Sequence, residues 1–281
     1  MNSSCVFLAA LAVFLLVPTG VALSADQAPV SDGPARLTIL YDNTTAREGV
    51  QGDWGFACLI EGMGKTILFD TGTKPEILLA NLQALKVDLG QVDVIVISHL
   101  HGDHTGGLLA ALEKRPGVAL YVPSAIVSVP ESAYERGRVP SLARLSRPDT
   151  KIIQVDGPVE VCPGVRLTGQ IVGPNLIPEV ALLLETRSGG TLVTGCAHPG
   201  VVLMTRRAAA LRGKPVEAVI GGFHLNQTPE TEVRSIIADM KAAGVVRCGA
   251  THCTGDAAIA QFRAAFGTDY IPLGVGRVID F

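Results

Sequence analysis

The segment Ser98-His99-Leu100-His101-Gly102-Asp103-His104-Thr105-Gly106-Gly107 sets three imidazoles and a carboxylate between residues 99 and 104. Imidazole and carboxylate are donors that zinc and similar divalent ions accept. In an extended segment His99 and His101 project to one side. Asp103 and His104 follow closely enough to turn toward a second ion at the mouth of a helix starting near Thr105. The other three histidines also sit in short motifs: Gly195-Cys196-Ala197-His198-Pro199-Gly200, Gly221-Gly222-Phe223-His224 and Thr251-His252-Cys253-Thr254-Gly255. Surface histidines do cluster by chance. Here the spacing, the mostly apolar run 92–97 before the loop and the Gly-Gly after it all agree on a metal site.

Every one of these motifs falls at or just past the end of an expected strand. Alternation of apolar and polar residues predicts strands over 36–41, 54–60 and 65–70, the last ending in Asp70-Thr71-Gly72. Helical spacing of Ile77, Leu78, Leu82 and Leu85 predicts a helix over 75–85. The buried strand 92–97 then leads into the histidine loop and a helix over 105–113. Short strands follow at 118–122, 151–155, 159–161 and 166–172. Between the first two of these, residues 130–148 carry Arg136, Arg138, Arg144 and Arg147 and few large apolar residues. That stretch reads most simply as solvated surface, with a lid for an anionic substrate as the functional alternative. Strands at 180–185, 191–194, 218–220, 245–248 and 275–279 and helices at 201–211, 229–243 and 257–266 complete the pattern. Two halves of comparable content suggest two face-to-face sheets with helices outside.

The chain has 281 residues, 48% hydrophobic and 17% charged, with a formal net charge of -3. That suits one well-cored domain over 36–281. With no basic field, nucleic acid is not expected as a stable partner; a small-molecule substrate is, and the oligomeric state stays open. Residues 6–17 form a continuous apolar run, followed by small residues up to Ala25. This has the length of a secretory signal rather than a membrane span. We therefore expect residues 1–25 to be a signal peptide, 26–35 a loose lead-in, and the mature protein to be periplasmic or secreted and free of the membrane. The absence of any Lys or Arg before Arg36 leaves an uncleaved anchor as the alternative. Five cysteines lie beyond residue 25, so an oxidising compartment would leave at least one unpaired.

His99-x-His101-x-Asp103-His104, with Asp70-Thr71-Gly72 upstream and Gly106-Gly107 downstream, resembles the signature of the metallo-β-lactamase superfamily. The likeness runs from about Leu37 to the C-terminus. The three later motifs resemble a narrower group, labelled 7,8-dihydropterin-6-yl-methyl-4-(β-D-ribofuranosyl)aminobenzene 5′-phosphate synthase-like. The resemblance implies an α/β fold, an αββα sandwich with metals at one edge. It also implies two divalent ions, zinc foremost, with manganese or iron open. His99, His101 and His198 would hold the first ion; Asp103, His104 and His252 would hold the second. Asp70 would brace the metal loop. Many members carry a bridging Asp where Cys196 stands here. That leaves a thiolate ligand, a thiol beside a solvent bridge (the favoured reading), or a weakened second site.

The implied activity is that of a metallo-hydrolase, in which bound metal generates a hydroxide nucleophile that attacks an ester. Asp103 would orient that nucleophile and His224 would protonate the leaving group. His224 as a core residue or a direct ligand is the alternative. A phosphodiester or a lactone fits an exported enzyme best. An iron-bearing redox or binding protein, or a pterin-related synthase as in the group label, are the competing readings.

Overall fold

The computed structural model describes residues 35–125 and 149–281. The apolar leader, nearly all of the lead-in and the Arg-rich excursion lie outside the described residues. Among those described, no helix is long and apolar enough to cross a membrane. The strands in chain order are β1 (Arg36–Tyr41), β2 (Ala57–Glu61), β3 (Ile67–Phe69), β4 (Val94–Val96), β5 (Ala119–Pro123), β6 (Lys151–Val155), β7 (Val159–Cys162) and β8 (Val165–Leu167). They continue with β9 (Ile171–Val172), β10 (Pro178–Glu179), β11 (Leu182–Thr186), β12 (Gly189–Thr194), β13 (Ala218–Gly222), β14 (Arg247–Thr251) and β15 (Val278–Asp280). The α-helices are α1 (Pro75–Leu85), α2 (Gly102–Thr105), α3 (Leu108–Lys114), α4 (Val201–Arg212), α5 (Glu230–Ala242) and α6 (Asp256–Phe266).

One sheet runs β15-β1-β2-β3-β4-β5-β6 and the other β14-β13-β12-β11-β8-β7, with β9 and β10 as a separate pair. Alternation along each strand explains why the sheets stack. Val94 and Val96 of β4 and Leu182 and Leu184 of β11 enter the core between the sheets. Ile95 instead joins Leu78, Leu82, Leu108 and Leu112 beneath α1 and α3. Leu183 joins Met204, Val233, Ile237 and Phe262 beneath α4, α5 and α6. Three apolar layers thus separate helix, sheet, sheet and helix, and the expected αββα sandwich is the observed architecture.

From β3 to β6, and again from β12 to β14, neighbouring strands are parallel. Their C-terminal ends therefore open on one edge, where α/β sheets hold ligands. Asp70 follows β3, His99 follows β4, His198 follows β12, His224 follows β13 and His252 follows β14.

Helix α1 falls where the periodicity placed it, but the helix expected over 105–113 is two pieces. Gly106 N–H is shared between Gly102 O at 2.9 Å and Gly72 O at 2.8 Å. A side chain at Gly106 would run into the Thr73 carbonyl, and one at Gly107 into Thr71 O. The close approach of these two segments breaks the helix. Strand 54–60 likewise begins only at Ala57, because Phe56 N–H turns to bond Asp103 O at 3.2 Å. Strand 166–172 is broken at Gly169 (φ +77°), which packs against Gly157 and Pro158.

Leu182 is fully buried between the sheets. Leu182→Ala should lower stability by about 2–5 kcal/mol, read as a reduced denaturant midpoint at unchanged slope. A loss below about 1 kcal/mol would contradict the two-sheet core as described.

Candidate metal centre

Asp70 organises the histidine loop. Its Oδ1 accepts the Ser98 N–H at 2.7 Å, and its Oδ2 accepts the Ser98 hydroxyl at 2.7 Å. The same Oδ2 lies 2.7 Å from His104 Nδ1. Ser98 Oγ is in turn 2.9 Å from His99 Nδ1. These bonds turn the Nε2 atoms of His99 and His104 inward, which is how outer groups orient metal-binding imidazoles. The segment after Asp70 supports the loop through its backbone, Thr71 N bonding His104 O at 2.8 Å. Asp70 thus braces the loop, the role that the resemblance implied.

Two donor groups converge at this edge. His101 Nδ1 lies 3.2 Å from His99 Nε2 and 3.1 Å from His198 Nε2. Ligand nitrogens about 2.05 Å from a tetrahedral zinc would be about 3.3 Å apart, so the three rings already have nearly that spacing. Asp103, His104, Cys196 and His252 form a second group, with donor atoms within 4.8 Å of one another. His252 Nε2 is buried with no hydrogen-bond partner, although Asp103 Oδ2 is 3.3 Å away. The two atoms are close but are not aligned for a hydrogen bond. A buried ring nitrogen left without a bond beside a carboxylate suits a divalent ion. All six residues expected as ligands, His99, His101, Asp103, His104, His198 and His252, are thus brought together, and their donor chemistry fits such ions.

The sulfur of Cys196 belongs to both groups and sits 3.1 Å from His104 Nε2. Burial pushes its thiol well above the usual cysteine range. His224 is exposed, with its ring 4.3 Å from that of His198. Its contact with Cys253 raises its pKa against the effect of partial burial. Backbone strain concentrates here. Six non-glycine residues among those described have φ in the left-handed region, and Asp70, Ala197, His224 and His252 are four of them. Such conformations persist where the surroundings enforce them.

Sequence reasoning gave no role to four residues that hold the site. Glu179, fully buried, accepts the backbone N–H groups of Gly195, Cys196 and Ala197 on Oε1 and of His198 on Oε2, at 2.9–3.0 Å. Burial raises its pKa to about 7 despite those donors. Trp54 is half-exposed. It donates Nε1–H to Asp103 Oδ2 at 2.8 Å and lies 4.7 Å from the His252 ring. Asn43 Oδ1 holds His252 Nδ1 at 3.0 Å. Asn175 Nδ2, on the loop between β9 and β10, is 3.5 Å from His198 Nδ1. A shallow cavity of about 360 Å³ lined by Arg234, Ile237 and Gln261 has no metal-ligating side chain, and no chemistry is assigned to it.

An αββα sandwich with a histidine–carboxylate centre at the strand ends defines a class of metal-dependent enzymes. The metallo-beta-lactamase superfamily model matches residues 55–220, and the chain belongs to that superfamily. A relative from Methanocaldococcus jannaschii, 7,8-dihydropterin-6-methyl-4-(beta-D-ribofuranosyl)-aminobenzene-5'-phosphate synthase, is 30% identical over 81% of this chain and 90% of its own. The crystal structure of a metal-dependent hydrolase of the beta-lactamase superfamily matches with a TM-score of 0.71. That match is 23% identical and covers 88% of this chain and 99% of the other. A diphosphatase from the PhnP family matches with a TM-score of 0.57, at 14% identity over 88% of this chain and 97% of its own.

Two predictions follow from the loop supports and from the ring charges. Glu179→Ala would orphan four buried N–H groups. Its cost should exceed the about 1–3 kcal/mol of one orphaned group, measured by chemical denaturation; a cost below about 1 kcal/mol would deny Glu179 this role.

Burial opposes charge on His104, but Asp70 outweighs it and Asp103 adds to it, so the pKa is pushed up to about 9. An ion must displace that proton. Burial and neighbouring imidazoles instead lower His99 well below 6.5 and His198 to about 3, so both are neutral at pH 7. Affinity at the Asp103–His104–His252 group should therefore rise about tenfold per pH unit from neutrality toward pH 9. His99 and His198, already neutral, should add nothing to that rise over the same range. Chelator competition against pH reads the rise, and an unchanged slope in Asp70→Asn would refute the assignment.

Proposed function

We propose that this protein hydrolyses an ester bond in a small molecule, a phosphodiester or a lactone, using two divalent ions, zinc foremost. The convergence of six ligand side chains, supported from behind by Asp70 and Glu179, carries the reading. His99, His101 and His198 would hold one ion; Asp103, His104 and His252 would hold the other. Bound there, such ions supply Lewis acidity and a hydroxide nucleophile near neutral pH.

The chain's own groups supply the rest. Asp103, fixed by the Trp54 N–H, offers an acceptor that orients the nucleophile's proton. The exposed indole forms a wall for an apolar or aromatic part of the substrate. His224 reaches solvent beside His198 and, with its pKa raised, holds its proton to a higher pH than a free histidine. It donates that proton to the leaving-group oxygen. The apolar run 6–17 supports a periplasmic or secreted place of action. The name of the Methanocaldococcus relative favours a second reading, a pterin-related synthase.

Elemental analysis and assays on phosphodiester and lactone panels, before and after chelation, test the proposal. The expected result is at least about two zinc ions per chain and hydrolysis lost on chelation. Tightly bound iron without hydrolysis would overturn it in favour of redox chemistry. Asp103→Asn should lower both turnover and ion content. His224→Ala should lower turnover about 10²–10⁴-fold with the ions on His99, His101, His198, Asp103, His104 and His252 intact; loss of either of those two ions would make His224 their ligand instead.

A further inference from the structure

Beside the histidine cluster, Cys196, His224 and Cys253 bring two sulfurs and a ring nitrogen within 4.8 Å of one another. Three separate strand ends supply them. Cys196 follows β12, His224 follows β13, and Cys253 lies in the 3₁₀ turn His252–Thr254 after β14. Gly222 permits this approach: a Cβ there would stand 2.7 Å from Cys253 Sγ and 2.5 Å from Gly195 O. Cys253 Sγ points at Cys196 O, 3.7 Å away. Both thiols are 2% exposed, whereas His224 is exposed and gives the group an opening to solvent.

We propose that Cys196, His224 and Cys253 form a further ion site, selective for thiophilic divalent ions such as zinc, cobalt or cadmium. Two thiolates and an imidazole are the soft and borderline donors these ions prefer over magnesium or calcium. In a tetrahedral site with metal–sulfur bonds of about 2.3 Å, the sulfurs stand about 3.8 Å apart. Donor atoms within 4.8 Å of one another need at most about 1 Å of closure, and solvent at the His224 side can fill the fourth position. On binding, the sulfurs and the His224 ring release to solvent the protons they carry and their lone pairs form the metal bonds, with no change of oxidation state. Cys196 also belongs to both histidine groups, so its sulfur can bridge to an ion held there. An ion in the three-residue site takes the His224 lone pair, so excess thiophilic metal inhibits turnover. That consequence rests on His224 as proton donor; ion binding does not.

Cobalt titration of the full, chelator-stripped chain under reducing conditions tests the site. Cobalt on any of these groups absorbs in the visible, while cobalt on thiolate adds a near-ultraviolet charge-transfer band. We expect a further equivalent that carries this band in excess of the ions on the histidines. Cys253→Ser should remove that equivalent and at least half of the band, leaving the visible absorption of the histidine-bound cobalt. His224→Ala, a change at an exposed position that spares the fold, should weaken that equivalent at least about tenfold. A band and stoichiometry unchanged in either variant, or no band in the wild type, would overturn the site. A thiolate band without cobalt on the histidines would instead sink the hydrolase reading and leave this one standing.

Discussion

The Asp70 carboxylate is the interaction on which the edge of the sandwich depends. It is fully buried at the end of β3, in a left-handed conformation with φ of 58°. A buried carboxylate without partners would be expensive, but Ser98 and His104 supply three bonds at 2.7 Å. Those bonds come from the loop after β4 and fix which ring nitrogens of His99 and His104 face the ions. The same carboxylate constrains the other sheet. A Cβ at Gly195 would run into Ser98 Oγ and stand 3.0 Å from Asp70 Oδ2. Only glycine lets the loop after β12 reach this place, and with it Cys196 and His198.

Glu179 does for the second sheet what Asp70 does for the first. It gathers four successive N–H groups of the Gly195–His198 turn, so the turn is held by one side chain and not by regular secondary structure. The two carboxylates hold the histidines closer together than their mutual repulsion as imidazolium ions would allow. The depressed pKa values of His99 and His198 follow from that crowding together with burial. Two neutral rings, His99 and His198, facing one another have few favourable contacts of their own. A divalent ion supplies what they lack.

Much of this was legible in the sequence, and for definite reasons. The strands and α1 follow from apolar alternation and spacing, because burial on one face writes itself directly into the residue pattern. The ligands cluster in motifs because each strand end can deliver only the few residues that follow it. The supports behind the ligands are different. Glu179 lies far from its partners in sequence and sits in a two-residue strand with no pattern of its own. Trp54 and Asn43 act through contacts with Asp103 and His252 that only the tertiary fold creates. The break at Gly106-Gly107 was equally hidden, since it arises from the Thr71 and Thr73 carbonyls pressing on the helix from another segment.

Cys196 is where this chain departs from the superfamily pattern, and the geometry makes the departure consequential. A carboxylate there would present two hard oxygens and could span two ions. A thiol presents one soft atom, and burial keeps it protonated until a metal displaces the proton. Its position 3.1 Å from His104 Nε2, within reach of both histidine groups, still suits contact with either ion. From sequence alone a thiol beside a solvent bridge is the favoured reading. The sulfur lies within 4.8 Å of the donor atoms of both groups, which also leaves direct contact with an ion open to it. With Cys in place of the Asp that many members carry, both donor groups gain one soft atom, a donor type that suits thiophilic ions better than magnesium or calcium.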